Sequence, residues 1–344
     1  MRPPSETACG EHLTRGSLSS CNPAILQFCN DKGERQRGSP LETTTATPNS
    51  RTASTATTAT TVFTEHGASL VDEVFGAEGP HHLVLLHGWG LNRDSLRGIG
   101  ILFEKRFRVH LIDLPGFGDA APPPADWDTT AYARLVEHYL AERTRGAVVL
   151  MGHSFGGRVA VRVAASRPSW LQAVALLAVP GLPASRWSRP RMRRAAIRML
   201  RRLLVGLAPL TGPGPVSWHT SRFGSKDYLA AGEALRPILV RTVNEDLTES
   251  ARHSACPFLL VYGQDDTETP AWLGERYRAL LGERATLHVL PHKDHHLYAG
   301  TGAHLTAFLA RQWLDRLDAC SGADAPARTE PVSAAWPAEG HGER

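Results

Sequence analysis

Short apolar runs recur along the middle of the chain: HLVLLHG, FRVHLIDLPG, AVVLMGH, AVALLAVPG, FLLVYGQ and TLHVLPH, all between Val62 and about Asp318. Their hydrophobicity is continuous rather than alternating. A strand buried on both faces has that pattern, so the runs predict a parallel sheet covered by helices on each side. The segments between them read as helices: TTAYARLVEHYLAE after Asp128, FGGRVAVRVAASR before Pro168, and AWLGERYRALLG just behind Pro270. Strand and helix alternate, which predicts an α/β class built on a mostly parallel β-sheet flanked by helices.

One stretch breaks this rhythm. Residues 181–255 contain no convincing strand pattern, but helix-like pieces lie around Arg191 to Leu207 and Lys226 to Val243, separated by the breaker-rich APLTGPGPVS. An insertion between two sheet strands is expected over the strand ends, where α/β proteins bind ligands, so it predicts a helical cap. Residues 1–61 are poor in large apolar side chains and close in TTTATPNSRTASTATTATT; they predict a disordered extension, and residues 319–344 a disordered tail. The expected folded domain is 62–318.

Composition narrows the class without naming the chemistry. No apolar run approaches the roughly 20 residues that span a bilayer, and no compact apolar segment with a small-residue cleavage site stands at the N-terminus, so the expected location is cytoplasmic. Of five cysteines, Cys9, Cys21 and Cys29 fall in the extension and none has metal-like spacing; neither a disulfide scaffold nor a zinc site is expected. A formal charge of +4 is small for 344 residues and gives no reason to expect nucleic acid as a partner.

The chemistry concentrates in Gly152-His153-Ser154-Phe155-Gly156-Gly157, which fits G-x-S-x-G between a predicted strand and a predicted helix. Glycines at those places allow a tight turn in which larger side chains would strike the adjoining strand and helix. The serine hydroxyl is then presented at the sheet's edge, against the positive end of the following helix. A serine is a poor nucleophile at neutral pH and needs a histidine base oriented by a carboxylate.

No Asp or Glu occurs between Arg143 and Lys226, so the acid cannot follow the strand AVALLAVPG. The next strand ends in Gly263-Gln264-Asp265-Asp266-Thr267-Glu268-Thr269-Pro270, which offers Asp266 first and Asp265 second. The last strand delivers Pro291-His292-Lys293-Asp294-His295-His296; His295 is the candidate base, with His296 and His292 as competitors. Acyl transfer also needs donors for the developing oxyanion. The backbone N–H groups of Phe155, just after the serine, and of Trp89, in the His87-Gly88-Trp89-Gly90 turn, are the candidates.

HGWG, GHSFGG, GQDDTETP and PHKDHH each close a predicted strand, in that order. Over roughly Val62 to Asp318 the chain resembles the α/β-hydrolase fold superfamily. That resemblance favours Asp266, four residues before Pro270, and His295, four residues after Pro291. The loop Asp113-Leu114-Pro115-Gly116-Phe117-Gly118 is also family-like, although Ala120 stands where many relatives carry serine. A serine nucleophile implies an acyl-enzyme rather than the aspartyl chemistry of the dehalogenases and epoxide hydrolases.

The resemblance therefore implies a capped serine hydrolase, esterase-like, with a Ser154–His295–Asp266 triad and no cofactor or metal. LVLLHGWGLN, HLIDLPGFG and PFLLVYG are also similar to the pimeloyl-carrier-protein methyl ester esterases, whose elbow and cap read differently. Arg186, Arg189, Arg191, Arg193, Arg194, Arg198, Arg201 and Arg202 crowd one amphipathic cap segment. The expected partners are a small acyl substrate and, through these arginines, an acidic carrier protein or an anionic membrane surface.

Overall fold

The computed structural model describes residues 59–65, 67–183, 199–200, 202–207, 209, 214–215 and 226–321. It contains an eight-stranded sheet: β1 (Ala59–Glu65), β2 (Ala68–Gly76), β3 (His81–Leu86), β4 (Arg108–Asp113), β5 (Ala147–His153), β6 (Leu171–Leu177), β7 (Phe258–Gly263) and β8 (Ala285–Leu290). The spatial order is β1-β2-β4-β3-β5-β6-β7-β8. From β4 to β8 neighbouring strands are parallel, while β1 and β2 form a hairpin whose second strand runs antiparallel to β4.

Helices alternate with these strands: α1 (Arg97–Phe103), α2 (Thr129–Arg143), α3 (Phe155–Ser166), α4 (Lys226–Ala230), α5 (Arg236–Asn244), α6 (Thr248–His253), α7 (Trp272–Leu281) and α8 (Thr301–Ser321). α2 starts where the Asp128 side chain accepts hydrogen bonds from the N–H groups of Thr130 and Ala131, an N-cap that satisfies two of the helix's orphan donors.

The continuous apolar runs are accounted for by two cores, one on each face of the sheet. Val84, Leu86, Ile112, Leu150, Leu176 and Leu260 pack with Tyr132, Val159 and Tyr277 of α2, α3 and α7. Their chain neighbours Leu83, Leu85, Leu111, Met151, Ala175 and Leu259 point the opposite way, onto Ile99 and Phe103 of α1 and Trp313 of α8. Each fully buried Leu, Val or Ile contributes about 1.5–3 kcal/mol relative to exposure, so a strand with no polar face has no cheaper place in the fold.

Two boundaries differ from the sequence reading. β1 begins at Ala59, inside the segment assigned to the extension, because the Thr-rich end pairs with β2 from Ala59↔Val74 to Glu65↔Ala68. α8 continues to Ser321, past Asp318. Residues 1–58 and 322–344, the rest of the expected extension and tail, lie outside the described residues.

Between β6 and β7 the described residues include α4, α5 and α6, and the helix expected over Lys226–Val243 is broken: α4 and α5 are separated at Gly232, and Pro237 sits in the first turn of α5. Of the eight arginines in the arginine-rich segment only Arg202 is described. The insertion is tied to the sheet's C-terminal ends: the Leu235 side chain lies against the backbone of Gly116, Arg158 donates to the Thr242 carbonyl at 2.8 Å, and Glu245 accepts from the Thr129 N–H at 2.9 Å.

Candidate active site

Ser154 stands between β5 and α3 with φ 46° and ψ −104°, a conformation that side chains other than glycine rarely adopt and that persists only when surroundings impose it. Here they do. The Ser154 N–H donates to the Leu177 carbonyl at 2.9 Å and the Gly156 N–H to the His87 carbonyl at 3.0 Å, clamping the turn to β6 and to the end of β3. A Cβ on Gly152 would sit 2.5 Å from the Gly156 carbonyl oxygen, and one on Gly156 would strike the Leu86 and His87 carbonyls. The glycines are there for close approach, as the motif predicts.

Asp266 follows β7 and His295 follows β8, and the two side chains meet: His295 Nδ1 lies 2.9 Å from Asp266 Oδ2, the residues being 9 % and 4 % exposed. Asp266 Oδ1 accepts the N–H groups of Glu268 (2.8 Å) and Thr269 (2.7 Å), and Oδ2 also accepts the Thr269 hydroxyl. An ionised carboxylate with this many donors requires His295 to carry its proton on Nδ1, which leaves the Nε2 lone pair free. Burial alone would raise the Asp266 pKa, but the hydrogen bonds from His295 and Thr269 outweigh it and hold the group at about 2. Burial works against a charged His295; the bond to Asp266 and the negative charges of Asp266, Glu268 and Asp227 outweigh that and raise its pKa above the ordinary 6.5.

The competing residues point elsewhere. Asp265 is exposed, and its N–H donates to the Lys293 carbonyl. His296 is exposed and bonded to Asp294, through its N–H at 2.9 Å and its ring at 3.4 Å. His292 is exposed in a left-handed turn with φ 55°.

Residue 153 brings the histidine loop to the serine turn. The buried His153 ring donates from Nε2 to the His295 carbonyl at 3.0 Å, and its centroid is 4.8 Å from the His295 ring and 4.7 Å from Tyr298. Since His153 precedes Ser154 in the chain, the contact anchors residue 295 beside the strained turn.

Trp89 and Phe155 are also neighbours, their rings 5.3 Å apart and nearly perpendicular, with Phe117 4.9 Å from Trp89. Among the described residues neither of their N–H groups is engaged by a backbone or side-chain acceptor. His87 governs one of those peptides. Leu114 N–H donates to His87 Nε2 (3.1 Å), so Nδ1 carries the proton and donates to the Gly88 carbonyl (2.8 Å). In a trans peptide C=O and N–H point in opposite directions, so pinning the Gly88 carbonyl also aims the Trp89 N–H. Asp113 holds the facing loop by accepting from Arg93 N (2.6 Å) and Asp119 N (3.0 Å). Between the two loops, Gly90–Asn92 and Gly116–Gly118 line a cleft of about 410 Å3.

His87, His153, Glu268 and Thr269 were not singled out by sequence. Only Thr269 carried a readable signal, since an Asp followed three residues later by Thr is a pattern in which the carboxylate caps its own turn.

The alpha/beta hydrolase family model matches residues 83–307, well over half the chain. A pimeloyl-[acyl-carrier protein] methyl ester esterase of Proteus mirabilis is 27 % identical over 219 residues, 58 % of this chain and 82 % of that protein. The enzyme of the same name from Cronobacter sakazakii is 43 % identical over 101 residues, 29 % of this chain and 37 % of that one. Among solved structures, a thermophilic esterase from Thermogutta terrifontis superposes with a TM-score of 0.55 at 23 % identity, covering 76 % of this chain and 99 % of its own. The chain belongs to the alpha/beta hydrolase family, as an esterase-like member.

Proposed function

We propose that the protein hydrolyses carboxylic esters through an acyl-enzyme on Ser154. The observation that carries this reading is the buried His295–Asp266 pair, anchored by His153, the residue before a strained serine. In the proposed cycle His295 Nε2 takes the Ser154 proton as Oγ attacks the acyl carbonyl, and Asp266 stabilises the imidazolium that forms. The Trp89 and Phe155 N–H groups receive the oxyanion, His295 then protonates the departing alkoxide, and water activated by the same nitrogen releases the acid. Residues 181–255 act as a cap over the strand ends, supported by the contacts of Leu235, Thr242 and Glu245.

A second reading narrows the substrate to an ester or thioester borne on a carrier protein. The activity for which the Proteus mirabilis and Cronobacter sakazakii relatives are named favours it. The rival of a different class is a ligand-binding protein on the same fold. Incubation with a fluorophosphonate probe and a series of acyl esters, beside Ser154→Ala, tests the function. Labelling and turnover in the wild type, both lost in the variant, are expected. Labelling that persists in Ser154→Ala rejects the nucleophile, and a wild type that neither labels nor turns over any ester supports the binding protein.

A further inference from the structure

The sequence placed an arginine-rich amphipathic segment in the insertion, and hydrolysis makes no use of it. Its described part, residues 199–200 and 202–207, is helical. Met199, Leu203 and Leu207 recur every fourth residue, and so share one face of that helix; they are 75 %, 59 % and 40 % exposed. Leu200 and Val205 are exposed as well, whereas Leu204 is half-buried. Among the described residues, eight of the fourteen exposed large apolar side chains lie between 199 and 243, so the apolar exposure belongs to the insertion rather than to the hydrolase body. A contiguous apolar stripe left in water marks an interaction surface.

Charge identifies the occupant. Eight arginines fall between Arg186 and Arg202, and no Asp or Glu occurs from 144 to 225, so no carboxylate in that stretch neutralises them. Of these arginines Arg202 is described, and it is exposed. Exposed leucine and methionine within an arginine-rich stretch of sequence suit the boundary between acyl chains and anionic headgroups, which answers both the apolar side chains and the charge. An acidic protein would answer the arginines but would need a matching apolar ridge for the stripe. No helix of the described residues is long and apolar enough to cross a membrane, so the contact is one of lying on the surface.

We propose that the Met199–Leu203–Leu207 face of the insertion docks on an anionic lipid bilayer. The test is co-sedimentation of the full chain with vesicles of phosphatidylcholine and phosphatidylglycerol (7:3), against pure phosphatidylcholine, at low and high salt. Binding to the anionic vesicles is expected, weakened at least about tenfold by Met199→Asp with Leu203→Asp and by raised salt. Met199→Ser with Leu203→Ser is the milder pair should the aspartates impair folding, and an unchanged unfolding midpoint certifies either variant.

Absence of binding to the anionic vesicles, equal binding to neutral ones, or binding indifferent to both variant pairs overturns the proposal. So does capture of an acidic carrier protein through the same residues without vesicle binding. None of these readouts involves turnover, so they stand apart from the fate of the Ser154 assignment.

Discussion

Among the described residues two histidine systems end on a buried aspartate, and they differ in how the ring meets the carboxylate. At the C-terminal ends of β7 and β8, His295 touches Asp266 directly and leaves Nε2 facing outward, 3.8 Å from the exposed Glu268. Towards the hairpin edge of the sheet, Asp72 accepts from the Tyr139 hydroxyl (2.7 Å), Tyr139 lies 2.8 Å from His110 Nδ1, and His110 Nε2 lies 2.9 Å from His82 Nδ1. The Tyr139 proton goes to Asp72, so His110 must donate to the phenol oxygen and accept from His82.

All of that chain's members are buried and its proton positions are fixed by one another. Burial, with His82 and Arg108 nearby, drives His110 down to about 3, whereas His295 is raised. Composition is nearly the same in the two places. Direct carboxylate contact and an unshared ring nitrogen suit the first to the proposed role of base; an interposed phenol and full burial suit the other to that of a strut.

The contrast breaks most visibly in catalysis. His295→Ala should lower kcat by about 10^5-fold or more, the scale on which removing a triad histidine acts, with little change in the unfolding midpoint. If His295→Ala retains near-wild-type turnover of the best ester substrate, the base is elsewhere. Asp266→Asn comes next, at about 10^4-fold, because an amide at 266 can force the wrong histidine tautomer while preserving shape. The same exchange at the other chain, Asp72→Asn, should leave kcat unchanged.

These assignments were accessible from sequence to different depths. Six strands were legible because their sequences hold short apolar runs, buried on both faces in the sheet's interior, as Leu83 to Leu86 illustrate. β2 was not, because Asp72 and Glu73 interrupt its hydrophobicity; both are buried against partners outside the strand, Thr61 and Tyr139 for one and Arg93 and Arg97 for the other. The serine turn could be read because glycines announce its geometry. The carboxylate and the histidine needed the likeness to a family to choose between adjacent residues, and it is burial that now separates Asp266 from Asp265 and His295 from His296. His153 was invisible, since its bond spans 142 residues.

A smaller effect tests the strut. Tyr139→Phe removes the bridging hydroxyl and leaves an Asp72 oxygen and His110 Nδ1 without their partner in a buried site, which should cost about 1–3 kcal/mol. Urea unfolding with an unchanged slope measures it, and kcat should hold; a fall in kcat without a fall in stability would join the two systems that the structure separates.

Acid adds to the same test. His87, His110 and His153 have folded pKa values of about 4, 3 and 3, below an unfolded value of about 6.5. The unfolded chain therefore binds protons that these three cannot. Stability should fall as pH drops below about 6.5, by up to about 1.4 kcal/mol per pH unit for each. His295 has the opposite sign: its raised pKa contributes stability below 6.5 that disappears as pH rises through the folded value. Burial lowers His82 and His288 as well, so five histidines against one predict a net loss of stability from pH 7 to pH 5, followed by thermal unfolding; a flat profile would mean that these histidines are not held neutral.

The smallest expected effect concerns Glu268, which sharpens the contrast because the buried strut has no counterpart to it. Its carboxylate faces His295 Nε2 and favours the imidazolium. Since the proposed ester reaction needs the neutral ring, activity should fall on the acid side through the His295 pKa. Glu268→Gln removes one source of the upward shift, so the acid limb of kcat/KM should move to lower pH while the rate on the plateau stays close to wild type. The carboxylate is largely exposed, so salt screens it, and raising the ionic strength on the wild type should move the limb in the same direction as the variant. A limb that moves upward, or one that responds to the variant but not to salt, would mean that Glu268 acts on His295 by contact rather than by charge.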